Sequence, residues 1–318
     1  MNILVLGAGA FGTSLAQSFA KGGTDVTLWG RDANAMAAQR ASRLSNRLVD
    51  VRLDDRITLT SELPETLPDV VLLAVPLQTL RSVLAGLAIV NGKTLVACCK
   101  GIELTTGLGP VAIIQQSCPD SAAAILTGPS FAQDIVIGLP TALTLACADD
   151  DVGQNLQHRL SAPNLRIYRT TDVVGAELGG ALKNVIAIAC GAAIGAGLGE
   201  SARAALMTRG FAEMKRMAHK LGADRATLSG LSGFGDLSLT CSSAQSRNYQ
   251  LGLSLGRGET FDPTVTVEGA ATARATQQRA AALDLDMPIT DAVVGLLDQK
   301  LNLREAIDLL MARPPREE

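Results

Sequence analysis

Gly7-Ala8-Gly9-Ala10-Phe11-Gly12 follows directly on an apolar run, Ile3-Leu4-Val5-Leu6. No other feature constrains the fold as tightly. Glycines spaced in this way, after a strand and before a helix, form a turn that cradles a pyrophosphate. Gly7 permits the tight turn, Gly9 lets the backbone come close to the phosphates, and Gly12 lets the helix pack against the strand. The helix start adds free backbone N–H groups and the positive end of its dipole. The glycine spacing alone arises by chance, so its context matters. Here a helix carrying Leu15 and Phe19 follows, then a second apolar run, Val26-Thr27-Leu28-Trp29. A bound dinucleotide is the expectation, held by Gly7, Gly9 and Gly12.

The second run ends Trp29-Gly30-Arg31-Asp32. An acid at about this place usually accepts from a ribose 2′-hydroxyl. Arg31 instead offers a planar fork of donors suited to a 2′-phosphate. The competing reading makes Arg31 a solvated loop residue and Asp32 the N-cap of the next helix. The phosphate reading is preferred, which favours NADP(H), or use of both NADP(H) and NAD(H), over strict NAD(H).

At 318 residues, with 47% hydrophobic and 19% charged residues, the chain can build two domains with large cores. A net charge of −3 argues against nucleic acid or anionic membrane as a partner. The first apolar run begins at Ile3 with no charged leader before it, so no signal peptide is expected. Cys98, Cys99, Cys118, Cys147, Cys190 and Cys241 show no C-x-x-C spacing, and the chain has two histidines, His158 and His219. Buried reduced thiols in a cytoplasmic protein are expected, with no metal. Asn184 to Gly199 carries no charge but is too short for a membrane span, which needs about 20 residues. A helix buried in a helical domain fits better.

The first half alternates strands and helices. Strands are expected at Asn2–Leu6, Asp25–Trp29, Val70–Val75, Leu95–Cys98, Ala123–Leu126, Ala142–Ala146 and Arg166–Tyr168. Several are continuous apolar runs, the pattern of parallel strands buried on both faces. Arg81–Leu87 and Gly107–Gln116 read as crossover helices. Together these make a doubly wound α/β sheet of Rossmann type. After Thr170 helical stretches follow one another: 172–194, with Asp172 as N-cap, then 201–221, 226–230, 246–255, 270–283, 290–298 and 303–311. The tail, Arg313-Pro-Pro-Arg-Glu-Glu, reads as frayed. The expected organisation is a cofactor domain over residues 1–170 and an all-helical substrate domain over 171–318. The helical domain is expected to close over the carboxyl ends of the strands, where open α/β sheets bind ligands.

Two lysines stand in unusual company. Lys100 ends a strand in Cys99-Lys100-Gly101, and Lys183 interrupts the apolar run from Leu178 to Val185. A buried lysine loses charge readily and can act as a general acid or base. On spacing alone, however, Lys183 reads as a surface lysine that snorkels to solvent. Gly233-Phe234-Gly235-Asp236-Leu237 reads as a tight loop presenting Asp236, a carboxylate able to hold an ammonium. Ser246-Arg247-Asn248 offers a hydroxyl, a guanidinium and an amide at a helix start, which suits a phosphate. Its plain alternative is Ser246 as a cap and Arg247 in solvent. Gly128-Pro129-Ser130 marks a turn on the ligand edge of the sheet, with Ser130 as a candidate helix cap. Glu268 reads as a first-turn acid.

Taken together, these segments resemble bacterial-type NAD(P)-dependent glycerol-3-phosphate dehydrogenases. The pieces are GAGAFGT (7–13), LWGRD (28–32), CKGIE (99–103), TGPSFA (127–132), GLPTA (138–142), LGGALKNVIAIA (178–189), TRGFAEM (208–214), GFGDLSLTC (233–241), SRN (246–248) and VEG (267–269). They stand in the family's order and span nearly the whole chain. The resemblance implies a fold like that of 6-phosphogluconate dehydrogenase and reversible reduction of dihydroxyacetone phosphate to sn-glycerol 3-phosphate for phospholipid synthesis. It makes Lys183 the proton donor and acceptor, accompanied by Asp236, with Asn184 and Thr240 close by. Lys100 would touch substrate and cofactor. Gly128, Ser130, Ser246, Arg247 and Asn248 would bind substrate, with Arg247 near the phosphate. Ala10, Phe11, Arg31, Ala132, Arg247 and Glu268 would touch the dinucleotide. A homodimer is compatible with it.

The segment 46–55 departs from the family by lacking its prolines, the stretch between Gly258 and Glu268 is short, and Cys99 stands where threonine is commoner. The rival readings are an enzyme of the same architecture acting on a keto acid or another sugar phosphate, and a non-catalytic NADPH sensor.

Overall fold

The computed structural model describes residues 2–312, so the tail Arg313–Glu318 lies outside the described residues. The chain forms two compact units, Met1–Lys100 with Leu108–Glu177, and Gly101–Gly107 with Leu178–Glu318.

The first unit holds β1 (Asn2–Leu6), α1 (Ala10–Lys21), β2 (Asp25–Trp29), α2 (Ala33–Ser42), β3 (Ile57–Thr60), β4 (Val70–Leu73), α3 (Leu77–Ala85), β5 (Thr94–Ala97), α4 (Pro110–Ser117), β6 (Ala122–Thr127), α5 (Ala132–Ile137), β7 (Thr141–Cys147), α6 (Asp150–Leu160) and β8 (Leu165–Thr170). The strands form one sheet in the order β3-β2-β1-β4-β5-β6-β7-β8. Alternate side chains of one strand enter different cores. Ile3, Val5, Val26, Leu28, Leu72 and Val96 pack on one face with Leu15 and Phe19 of α1 and Met36 of α2. Leu4, Leu6, Val71, Leu73 and Leu95 pack on the other with Leu80 and Leu84 of α3 and Ile113 and Ile114 of α4. A strand covered on both faces must be apolar throughout, which is why these runs show no alternation.

Several details differ from the sequence reading. β7 runs antiparallel to β6, pairing Ala124 with Cys147 and Thr127 with Thr144. An apolar run reports burial on both faces but carries no sign of direction. β3 is a strand that the reading omits: it is short and follows the charged Asp54-Asp55-Arg56. Its outer carbonyls are covered by arginines, with Arg40 Nε donating to Leu59 O at 3.0 Å and Arg43 Nη1 to Ile57 O at 3.0 Å. α6 was also omitted; it is capped by Asp149, which accepts from Val152 N. α3 begins at Leu77, four residues before the expected start.

The second unit holds α7 (Val173–Gly195, its first residues in the first unit), α8 (Gly199–Lys220), α9 (Arg225–Ser229), α10 (Asp236–Ser242), α11 (Arg247–Arg257), α12 (Glu268–Ala282), α13 (Pro288–Leu297) and α14 (Leu303–Met311). Asp172 Oδ1 accepts from Gly175 N at 2.9 Å, the expected cap of α7. α7 is long and apolar enough to cross a membrane, yet 89% of its most apolar stretch is buried within the protein. Val185, Ile186, Ile188 and Cys190 pack there with Met214, Met217, Leu237 and Val293. Small residues let α7 and α11 approach backbone to backbone. A Cβ on Gly191 would lie 2.9 Å from Leu253 N, and one on Gly252 2.8 Å from Ala192 N.

Candidate active site

In the first unit the glycine turn has the form its sequence demands. Gly7 has φ +123°, a conformation other residues rarely adopt, and a Cβ there would lie 2.7 Å from the carbonyl carbon of Ala74. A Cβ on Gly12 would overlap the Gly7 carbonyl oxygen and sit 2.9 Å from Ala74 Cβ. Packing therefore explains both glycines. It does not explain Gly9, whose φ of −76° suits any residue and whose Cβ would meet nothing within 4 Å. Gly9 is the N-cap of α1 without a side-chain cap, and the first turn of α1 (Ala10, Phe11, Gly12) carries no acid. A backbone cradle bare of side chains at a helix N-terminus fits a dinucleotide's phosphates.

At the end of β2, Asp32 Oδ1 accepts from Ala35 N at 3.0 Å, so the acid is committed to capping α2. Arg31 is exposed and pairs with no described residue. Lys100, just past β5, donates to Gly128 O at 3.1 Å, and Ser130 Oγ donates to the same carbonyl at 3.2 Å. The structure thus brings Lys100, Gly128 and Ser130 together. Ser130 does not cap α5: the N-cap is Phe131, and the Ser130 hydroxyl turns back to Gly128 instead. Ala132 opens α5 and packs partly buried on the first core.

In the second unit α7 carries Lys183 inward, not to the surface. Lys183 is 6% exposed and Asp236 is fully buried. Lys183 Nζ donates to Asp236 Oδ1 in a close ion pair, and to Thr240 Oγ1 at 2.9 Å. The Thr240 hydroxyl donates to Asp236 O at 2.6 Å, so its remaining capacity is turned to the ammonium. Asp236 and Thr240 stand four residues apart and share one face of α10. Asp236 is not in a tight loop. It opens α10 after a single π-helical turn, Leu231–Gly235, which approaches α7 at Gly179: a Cβ there would lie 3.0 Å from Gly233 Cα. An ion pair taken out of water in this way persists only if its partners are well placed.

The remaining residues lie at helix starts. Ser246 is the N-cap of α11 and accepts from Tyr249 N at 3.2 Å, while Arg247 at the first position is exposed. Ser246 is thus a helix cap, and the Arg247 guanidinium faces solvent at the start of α11. Asn248 Nδ2 donates to Asn184 Oδ1 at 2.9 Å, and Asn248 Oδ1 accepts from Gly269 N at 2.9 Å. Glu268 opens α12 as a first-turn acid.

One buried acid escaped the sequence reading. Glu213 of α8 is 1% exposed and accepts from Ile289 N at 2.6 Å, Thr290 N at 3.2 Å and Thr290 Oγ1 at 3.1 Å. It caps α13 from another helix. Burial pushes its carboxyl up to about 7, against those hydrogen bonds and Arg216, which pull it down. The available signal was an acid between Phe211 and Met214. The six cysteines are free and buried, and burial pushes the Cys98 thiol up to about 12. Among the described residues no three His, Cys, Asp or Glu side chains gather as a metal site.

A Rossmann sheet with a bare glycine turn at the start of α1, in one chain with a buried lysine held by a carboxylate and a hydroxyl, fits a dinucleotide-dependent oxidoreductase. Residues 2–153 match the model of the NAD-dependent glycerol-3-phosphate dehydrogenase N-terminus, and residues 172–308 that of its C-terminus. The chain belongs to the NAD-dependent glycerol-3-phosphate dehydrogenase family. It is 60% identical over 321 residues to glycerol-3-phosphate dehydrogenase [NAD(P)+] of Ruegeria sp., covering 100% of both chains. The crystal structure of glycerol-3-phosphate dehydrogenase from Coxiella burnetii is 31% identical, with a TM-score of 0.92 over 98% of this chain and 99% of that one. The crystal structure described as a "Probable 2-dehydropantoate 2-reductase" from Bacillus subtilis shares the fold alone, at 15% identity and a TM-score of 0.64, covering 94% of this chain and 99% of that one.

Proposed function

We propose that the chain reduces dihydroxyacetone phosphate reversibly to sn-glycerol 3-phosphate, using NADPH or NADH, and so supplies the glycerophospholipid backbone. The observation that carries the reading is the buried Lys183–Asp236–Thr240 cluster in a chain of this family. The nicotinamide, when bound, exchanges a hydride with C2 of the substrate. Lys183 in its ammonium form gives a proton to the C2 oxygen on reduction and takes one back on oxidation. Such general acid–base catalysis contributes about 10²–10⁴-fold. Asp236 and Thr240 hold the ammonium in place and fix its direction.

Arg247, at the start of α11, meets the substrate phosphate with the helix N-terminus behind it. Ser246, Asn248, Asn184, Lys100, Gly128 and Ser130 complete the substrate contacts. Gly7, Gly9, Ala10, Phe11, Gly12, Arg31, Lys100, Ala132, Arg247 and Glu268 hold the dinucleotide, with Arg31 on a 2′-phosphate. On this reading residues 1–170 carry the cofactor and 171–318 the substrate. The enzyme works in the cytoplasm without membrane insertion and is compatible with a homodimer.

A steady-state assay with dihydroxyacetone phosphate, comparing NADH with NADPH, tests the reading. Turnover of a keto acid with none of dihydroxyacetone phosphate would favour the rival enzyme. Tight NADPH binding without turnover of any phosphate ketone would favour the sensor. Wild-type turnover by Lys183→Ala would sink the assignment of Lys183.

A further inference from the structure

The amide of Asn248 is committed at both ends. Its Oδ1 accepts from Gly269 N and its Nδ2 donates to Asn184 Oδ1, each at 2.9 Å. The backbone N–H of Gly269 can only donate, so it sets which end of Asn248 faces it. That choice sets the orientation of Asn184, whose Oδ1 must face Asn248. Three helices meet at this side chain: α7 with Lys183 and Asn184, α11 with Arg247, and α12 with Glu268. The brace also explains a glycine. A Cβ on Gly269 would lie 3.0 Å from Asn184 O and closer still to Asn248 Oδ1, so any side chain there would push the two apart.

We propose that Asn248 is a positioning residue that ties the start of α12 to α7, and so couples the site of Glu268 to the site of Lys183. The inference rests on the proposed function for the roles of Glu268 and Lys183. Loss of Asn248 must then weaken cofactor binding even with no substrate present. A residue that touches only substrate would not do this. The Asn248→Asp variant keeps an acceptor for Gly269 N, and Asn184 can turn its amide over to donate, so the brace survives while any donation to substrate is lost.

The test is fluorescence titration of NADPH into free wild-type, Asn248→Ala, Asn248→Asp and Gly269→Ala protein, with amide hydrogen exchange at Gly269. Asn248→Ala and Gly269→Ala should weaken NADPH about tenfold, the effect of one hydrogen bond. Asn248→Asp should bind NADPH like wild type while its KM for dihydroxyacetone phosphate rises. The Gly269 amide should be protected in wild type and Asn248→Asp and should exchange faster in Asn248→Ala. Wild-type NADPH affinity in Asn248→Ala, with only the substrate KM raised, would overturn the proposal, as would a Gly269 amide that exchanges equally fast in wild type and Asn248→Ala. Failure of the wild-type protein to bind NADPH would instead refute the functional reading, while the exchange data would still decide whether the brace exists.

Discussion

Glu213 titrates in a window that stability measurements can reach. Its folded-state carboxyl is raised from the ordinary 4.5 to about 7, with burial as the largest cause. Between those values the folded protein holds a proton that the unfolded chain has released, so stability falls as pH rises through the window. The move from 4.5 to about 7 amounts to about 3 kcal/mol, most of it between about pH 5 and pH 8. Glu213→Gln removes the titration and keeps one oxygen to accept from Ile289 N, while its amide nitrogen replaces the oxygen that accepts from Thr290, a loss that does not vary with pH. Urea unfolding of both proteins across that range, followed by far-ultraviolet circular dichroism, isolates the effect, because every other group cancels in the difference. The variant should gain on wild type by about 3 kcal/mol as pH rises. A difference that stays constant with pH, or that shrinks, would refute the reasoning.

Lys183→Ala takes from the buried Asp236 carboxylate its ammonium partner and should cost about 3–5 kcal/mol of stability; adding Asp236→Asn should recover most of it, as read by urea midpoints. Gly9 and Gly12 of the turn should separate: Gly12→Ala should destabilise by about 1–3 kcal/mol or more through overpacking. Gly9→Ala should leave the melting temperature unchanged and weaken NADPH binding in a fluorescence titration. Arg31→Ala should raise the KM for NADPH by about ten- to a hundredfold, the range for hydrogen bonds to a charged group, with the KM for NADH little changed. An unchanged preference would remove Arg31 from the 2′-phosphate site.

Local chemistry made much of the first unit legible. The glycine turn, the apolar runs of β1, β4 and β5 and the cap at Asp172 depend on neighbours a few residues away, and spacing reports those directly. β3 and α6 were not legible, because a four-residue strand among charges and a polar helix leave little periodic signal. The tight loop expected at Asp236 is a π turn followed by a helix, since glycines mark freedom of the backbone without saying what it does with it.

From the sequence alone came the two-part architecture, the dinucleotide turn and, through the order of its motifs, the family. Tertiary structure decided which polar groups are buried together. On helical spacing Lys183 is a surface residue, and it becomes a buried ammonium because α10 lays Asp236 and Thr240 against it. Asn248 serves three helices and Glu213 caps a helix 75 residues further along the chain. The direction of β7 was settled in the same way, by its partner. Periodicity records how a segment meets solvent, whereas the partner of a buried donor or carboxylate is chosen by packing between segments far apart in the chain. That choice carries the chemistry here.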